Sequence, residues 1–206
     1  MSEATNNRIL VREGTPGDIE PMALSMARAF LDDPLISWVM PDEATRLDVQ
    51  RRLYRTMFRD LVRTRYGELL TTHDTVGAAI WMRPGKPKPP ASSTARLVAT
   101  MVRNARQVKI ARYAAAMQAI EKRHPRQPHW YLSGIGTDPD FQRQGVATAL
   151  MRPILDRCDA EGVGAYLETQ KERNVPIYEH KGFRVVDELD LPKGGPHLWL
   201  MWREPA

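Results

Sequence analysis

Apolar residues at Ile19, Met22, Ala23, Met26, Ala27 and Phe30 recur at helical spacing, so a helix with one apolar face is expected there. Thr15-Pro16-Gly17-Asp18 reads as its start. Asp33-Pro34 is expected to end it, because a residue before proline is pushed out of the α region. Upstream, Ile9 to Arg12 is a short apolar segment suited to opening a sheet. Ala44 to Arg65 is a second helical stretch, rich in arginine on its polar face. Gly67 to Thr72 and Val76 to Met82 are strand-like, with His73-Asp74 as the turn of a hairpin. Arg83 to Pro90 is a proline-rich surface loop.

Thr94 to His124 reads as one long basic helix or a helix pair, with Leu97, Val98, Met101, Val108 and Met117 as its apolar stripe. Pro125 and Pro128 close it. Then come a strand at Trp130 to Thr137, a helix at Gln144 to Glu161 and a strand at Ala165 to Thr169. A short helix at Asn174 to Lys181 and strands at Arg184 to Leu189 and Leu198 to Trp202 follow. This order describes a mixed α/β fold around one sheet. The expected organisation is a single domain over residues 1–206, with a helical insert at 86–128.

Composition narrows the class. Of 206 residues, 42% are hydrophobic and 27% charged, as in soluble globular domains. No apolar run approaches the roughly 20 residues of a membrane span. The opening MSEATNNR has no apolar core of a secretory signal, and the single Cys158 cannot form an internal disulfide, so a cytoplasmic protein is expected. Cys158 shares a stripe with Leu150, Met151, Ile154 and Leu155 and is expected in the core. A net charge of +5 favours anionic partners: a phosphate-rich cofactor, nucleic acid or an acidic membrane. Arg96, Arg103, Arg106, Lys109 and Arg112 on the basic helix would suit nucleic acid, but no aromatic residues interleave them. The expectation is therefore a solvated face, with neither nucleic acid nor membrane as partner.

The informative segment is Leu132 to Arg152, LSGIGTDPDFQRQGVATALMR. A strand ends at Thr137, Asp138-Pro139 turns the chain, and Gln142-Arg143-Gln144-Gly145-Val146-Ala147 leads into a helix. The first amides of a helix are unpaired and point outward, and the helix dipole adds to their pull on an anion. Gly145 and Ala147 leave room for a phosphate, and Arg143 adds charge at the rim. Neither G-x-x-x-x-G-K-[ST] nor G-x-G-x-x-G opens this helix. Inside the helix, Pro153 deletes a hydrogen bond and is read as a kink.

Gln142-x-x-Gly145-x-Ala147 between a strand and a helix resembles the [Q/R]-x-x-G-x-[G/A] motif of the GCN5-related N-acetyltransferase (GNAT) superfamily. Tyr166-Leu167-Glu168-Thr169, then Asn174-Val175-Pro176-Ile177-Tyr178-Glu179 and Gly182-Phe183, resemble its second block. The YLET…RNVPIYE…GF run resembles the subgroup that contains puromycin N-acetyltransferase. The resemblance spans Trp130 to Trp202 and is faint before that.

The resemblance implies a fold: a mixed, largely antiparallel sheet flanked by helices, with a splayed parallel strand pair holding the cofactor. It implies an activity: transfer of the acetyl group of acetyl-CoA to a primary amine, by direct attack in a ternary complex, without a metal. It assigns the pantetheine arm to Ile135, Gly136 and Thr137, and the pyrophosphate to Gln142, Arg143, Gln144, Gly145, Val146, Ala147 and Thr148. Asn174 and Tyr178 share one face of the short helix. Asn174 is either its N-cap or a contact to pantetheine, or both. Tyr178 matches the general acid for the leaving thiolate, and the rival reading is a packed aromatic. Full transfer from a phenol of pKa about 10 to a thiolate of about 8.5 is uphill by about 2 kcal/mol, so the proton must move in concert with bond breaking.

One departure concerns the base. Some members carry a glutamate early in the cradle's strand, where this chain has Trp130-Tyr131-Leu132. Candidates elsewhere are Glu168, His129 and His124, and an amine that arrives neutral needs none. Glu168, in the strand beside the thioester, is carried forward with Tyr178 as catalytic. Acceptor specificity is expected from Phe30 to Pro41, where Asp32 and Asp33 would hold a cation; Trp38 and Trp81 either line the pocket or, the favoured reading, pack in the core. The leading acceptor is a small-molecule amine. The alternatives are protein-lysine or N-terminal acetylation, or a non-catalytic acyl-CoA-binding regulator. A homodimer is the default oligomer.

Overall fold

The computed structural model describes residues 9–86 and 88–206. The opening octapeptide, read above for a signal, and Pro87 of the proline-rich loop lie outside the described residues.

The chain runs β1 (Val11–Glu13), α1 (Ile19–Ala29), α2 (Pro34–Val39), α3 (Glu43–Thr64), β2 (Gly67–Thr72), β3 (Gly77–Met82), α4 (Ala91–Arg103), α5 (Ile110–Arg123) and β4 (Trp130–Thr137). It continues with α6 (Val146–Glu161), β5 (Ala165–Thr169), α7 (Val175–Glu179), β6 (Arg184–Asp190) and β7 (His197–Arg203). The strands form one sheet in the order β1-β2-β3-β4-β5-β7-β6. Every neighbouring pair is antiparallel except β4 and β5, which α6 connects in parallel. The mixed α/β fold with a splayed parallel pair is thus the observed one.

Strand alternation divides the core. Leu69, Ala78 and Ile80 point to one face and pack with Met22, Met26, Phe58 and Leu61 of α1 and α3. Leu70, Ala79, Trp81 and Leu132 point to the other and pack with Leu150, Met151, Ile154 and Cys158 of α6. Cys158 is fully buried, as expected, and burial pushes its thiol up to about 12. Pro153 lies on the exposed face of α6, which runs unbroken through it, so the carbonyl it leaves without a donor lies toward solvent.

Asp33-Pro34 does not end α1. That helix closes at Ala29, and Asp33-Pro34 opens α2 instead. The Asp33 carboxylate accepts from the amides of Leu35 (3.0 Å) and Ile36 (3.2 Å), and proline suits the first helical turn. The basic stretch folds as the pair α4–α5. Met101 and Val108 are buried against α2 and α3, and Ala116 packs with Tyr166 and Leu200 of the sheet. Val98 of the expected stripe stays exposed. Arg96 pairs with Asp60 at 2.7 Å, and Arg112 donates to the Trp38 carbonyl at 2.8 Å, whereas Arg103, Arg106 and Lys109 are exposed.

The turn before α1 is a capping box in which Asp18 also accepts twice from Arg12, at 2.6 and 2.8 Å. The Arg12 guanidinium, outweighing the desolvation of the site, holds the Asp18 carboxyl far below the ordinary carboxylate range. Its stabilisation is present above the unfolded pKa of about 3.9 and is lost as pH falls through the lower folded value. Asp18→Asn should therefore lower the melting temperature at neutral pH and weaken its fall on acidification, as read by circular dichroism.

Candidate active site

The site begins where β4 leaves β5. Only Trp130, Tyr131 and Leu132 pair with β5, opposite Ala165, Tyr166 and Leu167. Beyond them the strands diverge, while β4 keeps its pairing with β3 as far as Thr137. A shift in the β3–β4 register between Ile80 and Trp81 leaves Ser133 as an extra residue, and such a bulge bends its strand. Ser133 is exposed although its strand is interior to the sheet. Two cavities open from the gap.

The first, about 600 Å³, is lined by Ile135, Gly136 and Thr137 of β4 and by Gln142, Arg143, Gly145, Val146, Ala147 and Thr148 of the loop and α6. Asn174 and Tyr178 close it. Gln144 is the one predicted cofactor residue that does not face it: it is exposed, and its side chain donates to the Asp140 carbonyl at 3.4 Å. Gly145 caps α6 in the left-handed region (φ 85°), and the first helical hydrogen bond runs from the Ala149 amide to its carbonyl at 2.9 Å. The Val146, Ala147 and Thr148 amides before it belong to the unpaired first turn. Arg143 is left-handed as well (φ 62°), a conformation uncommon for residues with a Cβ. Gln142 braces the loop by donating to the Thr137 carbonyl at 3.2 Å.

Three cations line this cavity: Arg143, Lys171 and Arg173. The sequence reading missed the latter two, because a Lys-x-Arg run after a strand carries no mark of where it points. The buried Thr137 hydroxyl has no hydrogen-bond partner. Cations, a free helix start and an orphaned hydroxyl beside a splayed strand fit a long anionic ligand with an amide-bearing arm. Gly136 of the same strand is held tight: a Cβ there would stand 2.8 Å from the Met26 sulfur and 2.9 Å from the Ala29 Cβ.

A second chamber, about 280 Å³, adjoins the first, and both are lined by Phe30, Asp33, Ile135, Asn174 and Tyr178. Its walls are largely apolar, from Leu35, Ile36 and Met57 to Leu97, Met101 and Met117. Glu168 lies in its wall with a side chain only 6% exposed, and its Oε1 makes no hydrogen bond. The buried Arg46 of α3 ties down the ends of α2, donating to the carbonyls of Met40 (2.7 Å), Leu31 (3.1 Å) and Pro41 (3.2 Å).

Other predicted acceptor residues lie elsewhere. Trp81 is fully buried in the α6 core, and Trp38 packs under α5 with Arg112 over its ring, because both indoles complete apolar clusters. Asp32 is taken by Lys171 (2.6 Å) and Arg173 (3.4 Å). Asn174 stands at the start of α7, but its side chain caps no amide; its Nδ2 lies 3.4 Å from the Thr169 hydroxyl. Tyr178 is 8% exposed, and burial, aided by Asp33, pushes its phenol up to about 12. Gly182 ends that segment in the left-handed region (φ 84°).

Residues 94–183 match the acetyltransferase (GNAT) family, a span holding both the cradle and the α7 block. That span is a GNAT-family acetyltransferase segment. An uncharacterized N-acetyltransferase of Schizosaccharomyces pombe is 28% identical over 91% of this chain and 80% of its own length. Among solved structures, a histone acetyltransferase HPA2 and related acetyltransferase of Corynebacterium glutamicum shares the fold (TM-score 0.64, 23% identity, 96% of this chain and 97% of that one). So does a polyamine N-acetyltransferase of Drosophila melanogaster (TM-score 0.58, 14% identity, 95% and 99%). GNAT enzymes take acetyl-CoA as acyl donor. Among the described residues of this acetyltransferase no helix is long and apolar enough to cross a membrane, and no three His, Cys, Asp or Glu side chains group as metal ligands.

The cradle yields a prediction for this GNAT chain. Gly145→Ala forces a side chain into the left-handed region, at about 1–2 kcal/mol. The added Cβ would find nothing nearer than Ile9 Cδ1 at 3.9 Å, so the backbone and the approach of the anion are what change. Calorimetry should show acetyl-CoA bound about tenfold more weakly, a loss of about 1.4 kcal/mol.

Proposed function

We propose that this enzyme acetylates the primary amine of a small molecule carried on an apolar body. The observation that carries this reading is the junction of the two cavities. An anion-suited cavity and an apolar chamber meet along Tyr178, and a carboxylate with a free oxygen lies in the chamber wall. Acetyl-CoA supplies an activated thioester. The α6 amides, Arg143, Lys171 and Arg173 bind its phosphates, and the divergent part of β4 from Ile135 to Thr137 receives its pantetheine arm. Glu168 receives the ammonium group of the acceptor and takes its proton. Tyr178 returns a proton to the departing thiolate. A phenol near 12 stays protonated at neutral pH. Complete transfer to a thiolate of pKa about 8.5 would be uphill by about 5 kcal/mol, so the proton moves as the carbon–sulfur bond breaks.

The acceptor class rests on the lining. A polyamine would bring a second cation into a chamber walled largely by leucine, isoleucine and methionine, whose other carboxylate, Asp33, is already engaged as the cap of α2. An aryl or alkyl amine fills the same space favourably, and this agrees with the sequence resemblance to the subgroup that contains puromycin N-acetyltransferase. In this proposal residues 86–128 are an insert whose helices roof the acceptor chamber within a single domain. Thiol release from acetyl-CoA should be followed with benzylamine, a puromycin-like aminonucleoside, spermidine, an aminoglycoside and lysine and N-terminal peptides. The apolar amines should have the highest kcat/KM. Preference for a peptide would move the assignment to protein acetylation, and thiol release with none would leave acetyl-CoA binding alone.

A further inference from the structure

Behind Glu168 lies a pair of histidines that the reaction outlined above does not use. His124 follows α5 and His129 precedes β4; the segment between them holds Pro125 and Pro128. Their ring centroids are 4.9 Å apart, and their Nε2 atoms are 3.1 Å apart. The His129 Nδ1 lies 2.7 Å from the Gln127 carbonyl oxygen. The His124 Nδ1 lies 3.8 Å from the Glu168 Oε1 that makes no hydrogen bond.

These contacts fix the tautomers. A carbonyl only accepts, so His129 carries its proton on Nδ1 and, when neutral, presents a bare Nε2. Burial lowers the pKa of His129, which keeps it neutral. His124 must then donate from Nε2. A neutral His124 has one lone pair left, on Nδ1, and that nitrogen faces Glu168. The separation is an ion-pair distance, longer than a hydrogen bond, so a proton passes only as the two atoms close on each other.

We propose that His124 is the proton acceptor behind Glu168 and that His129 is the positioning residue that holds it in the receptive tautomer. The inference rests on the amine-acetylation reading given above. An alkylammonium acceptor brings three N–H protons. One passes to Glu168 and on to His124 Nδ1, freeing the nitrogen lone pair for attack and leaving a Glu168 carboxylate beside a His124 imidazolium. The second leaves as the nitrogen–carbon bond forms and the carbon–sulfur bond breaks, and it restores to Tyr178 the proton that the phenol gives to sulfur. The third stays on the amide. The charge count closes with one proton on His124, to be released before the next turnover.

The surroundings suit a store for one proton. Tyr131 and Tyr166 stand edge-on to His124, at 4.8 and 5.0 Å, and Tyr166 and Trp202 stand 5.6 Å from His129. Burial first, and the Glu168 charge second, raise both phenols, so neither competes for a proton. Arg123, next to His124 in the chain, pairs with Asp187 at 2.6 Å. His124 itself is partly open to solvent, with a side chain 10% exposed, which gives the proton a way out.

His124→Gln separates this role from a structural one, because the glutamine amide keeps the donor to His129 and removes the basic nitrogen. For benzylamine, an ammonium at neutral pH, kcat/KM should fall about 100-fold. For phenylhydrazine, which arrives neutral, it should stay within about twofold of the wild type. Equal loss for both probes, or none for either, overturns the relay. Nitrogen-15 spectra of histidine-labelled wild-type protein test it without turnover or substitution: His129 should carry its proton on Nδ1 and neutral His124 on Nε2. A neutral His124 protonated on Nδ1 overturns the proposal, even if the variant fails to fold. If the wild type acetylates neither probe, the amine assignment fails, while the spectra still decide the histidine pair.

Discussion

Tyr178→Phe should lower kcat by about 100- to 1,000-fold while the KM for acetyl-CoA stays within about twofold. The ring is held by packing: it meets Phe183 edge-on at 6.1 Å and belongs to the α6-side core. Phenylalanine keeps those contacts, so the melting temperature should hardly move. Only the hydroxyl is lost, on a residue lining both cavities. Burial keeps the phenol near 12 and protonated throughout the neutral range, so its loss should lower the whole pH–rate profile without displacing a limb. Stopped-flow thiol release tests this. A variant with unchanged kcat would return Tyr178 to the role of a packed aromatic.

The second large effect should come from Glu168→Gln. Glutamine matches the shape of glutamate, and the Oε1 it alters makes no hydrogen bond, so the fold should tolerate it. At neutral pH, kcat/KM for benzylamine should fall about 100-fold. Below the pKa of the amine, the variant's rate should then rise roughly tenfold per pH unit, because it draws only on amine that arrives neutral. Removing a carboxylate that merely shaped the chamber would depress activity equally at every pH. The two substitutions also differ in what rescues them: alkaline pH restores the Glu168 variant and does nothing for the Tyr178 variant.

The parts legible in the sequence are those governed by local rules. Helix periodicity gave α1, α3 and α6 to within a few residues, and β4 and β5 to the residue. The cradle was legible because its elements are contiguous: a strand, a turn, a glycine at a helix start. Asp33-Pro34 shows the limit of such rules, since the same dipeptide serves as a helix stop and as an N-cap with proline behind it. The choice fell to the Asp33 side chain and the two amides it caps.

The acceptor chamber was not legible, because it is assembled from α2, α3, α4–α5, β4 and β5, whose side chains meet only after folding. Trp38 and Trp81 were open to two readings, pocket wall or core; Trp81 is fully buried in the α6-side core and Trp38 packs half-buried against the α5 side, since large apolar side chains gain from burial. Asp32 looked like an amine receptor until Lys171 and Arg173, about 140 positions along the chain, neutralised it. The family, the fold class and the helix-start cradle lay within short segments, where spacing and backbone preference act alone. Which carboxylate keeps a free oxygen, and which histidine nitrogen faces it, was decided by tertiary packing, because a side chain's protonation partners are set by what the fold brings within a few ångströms.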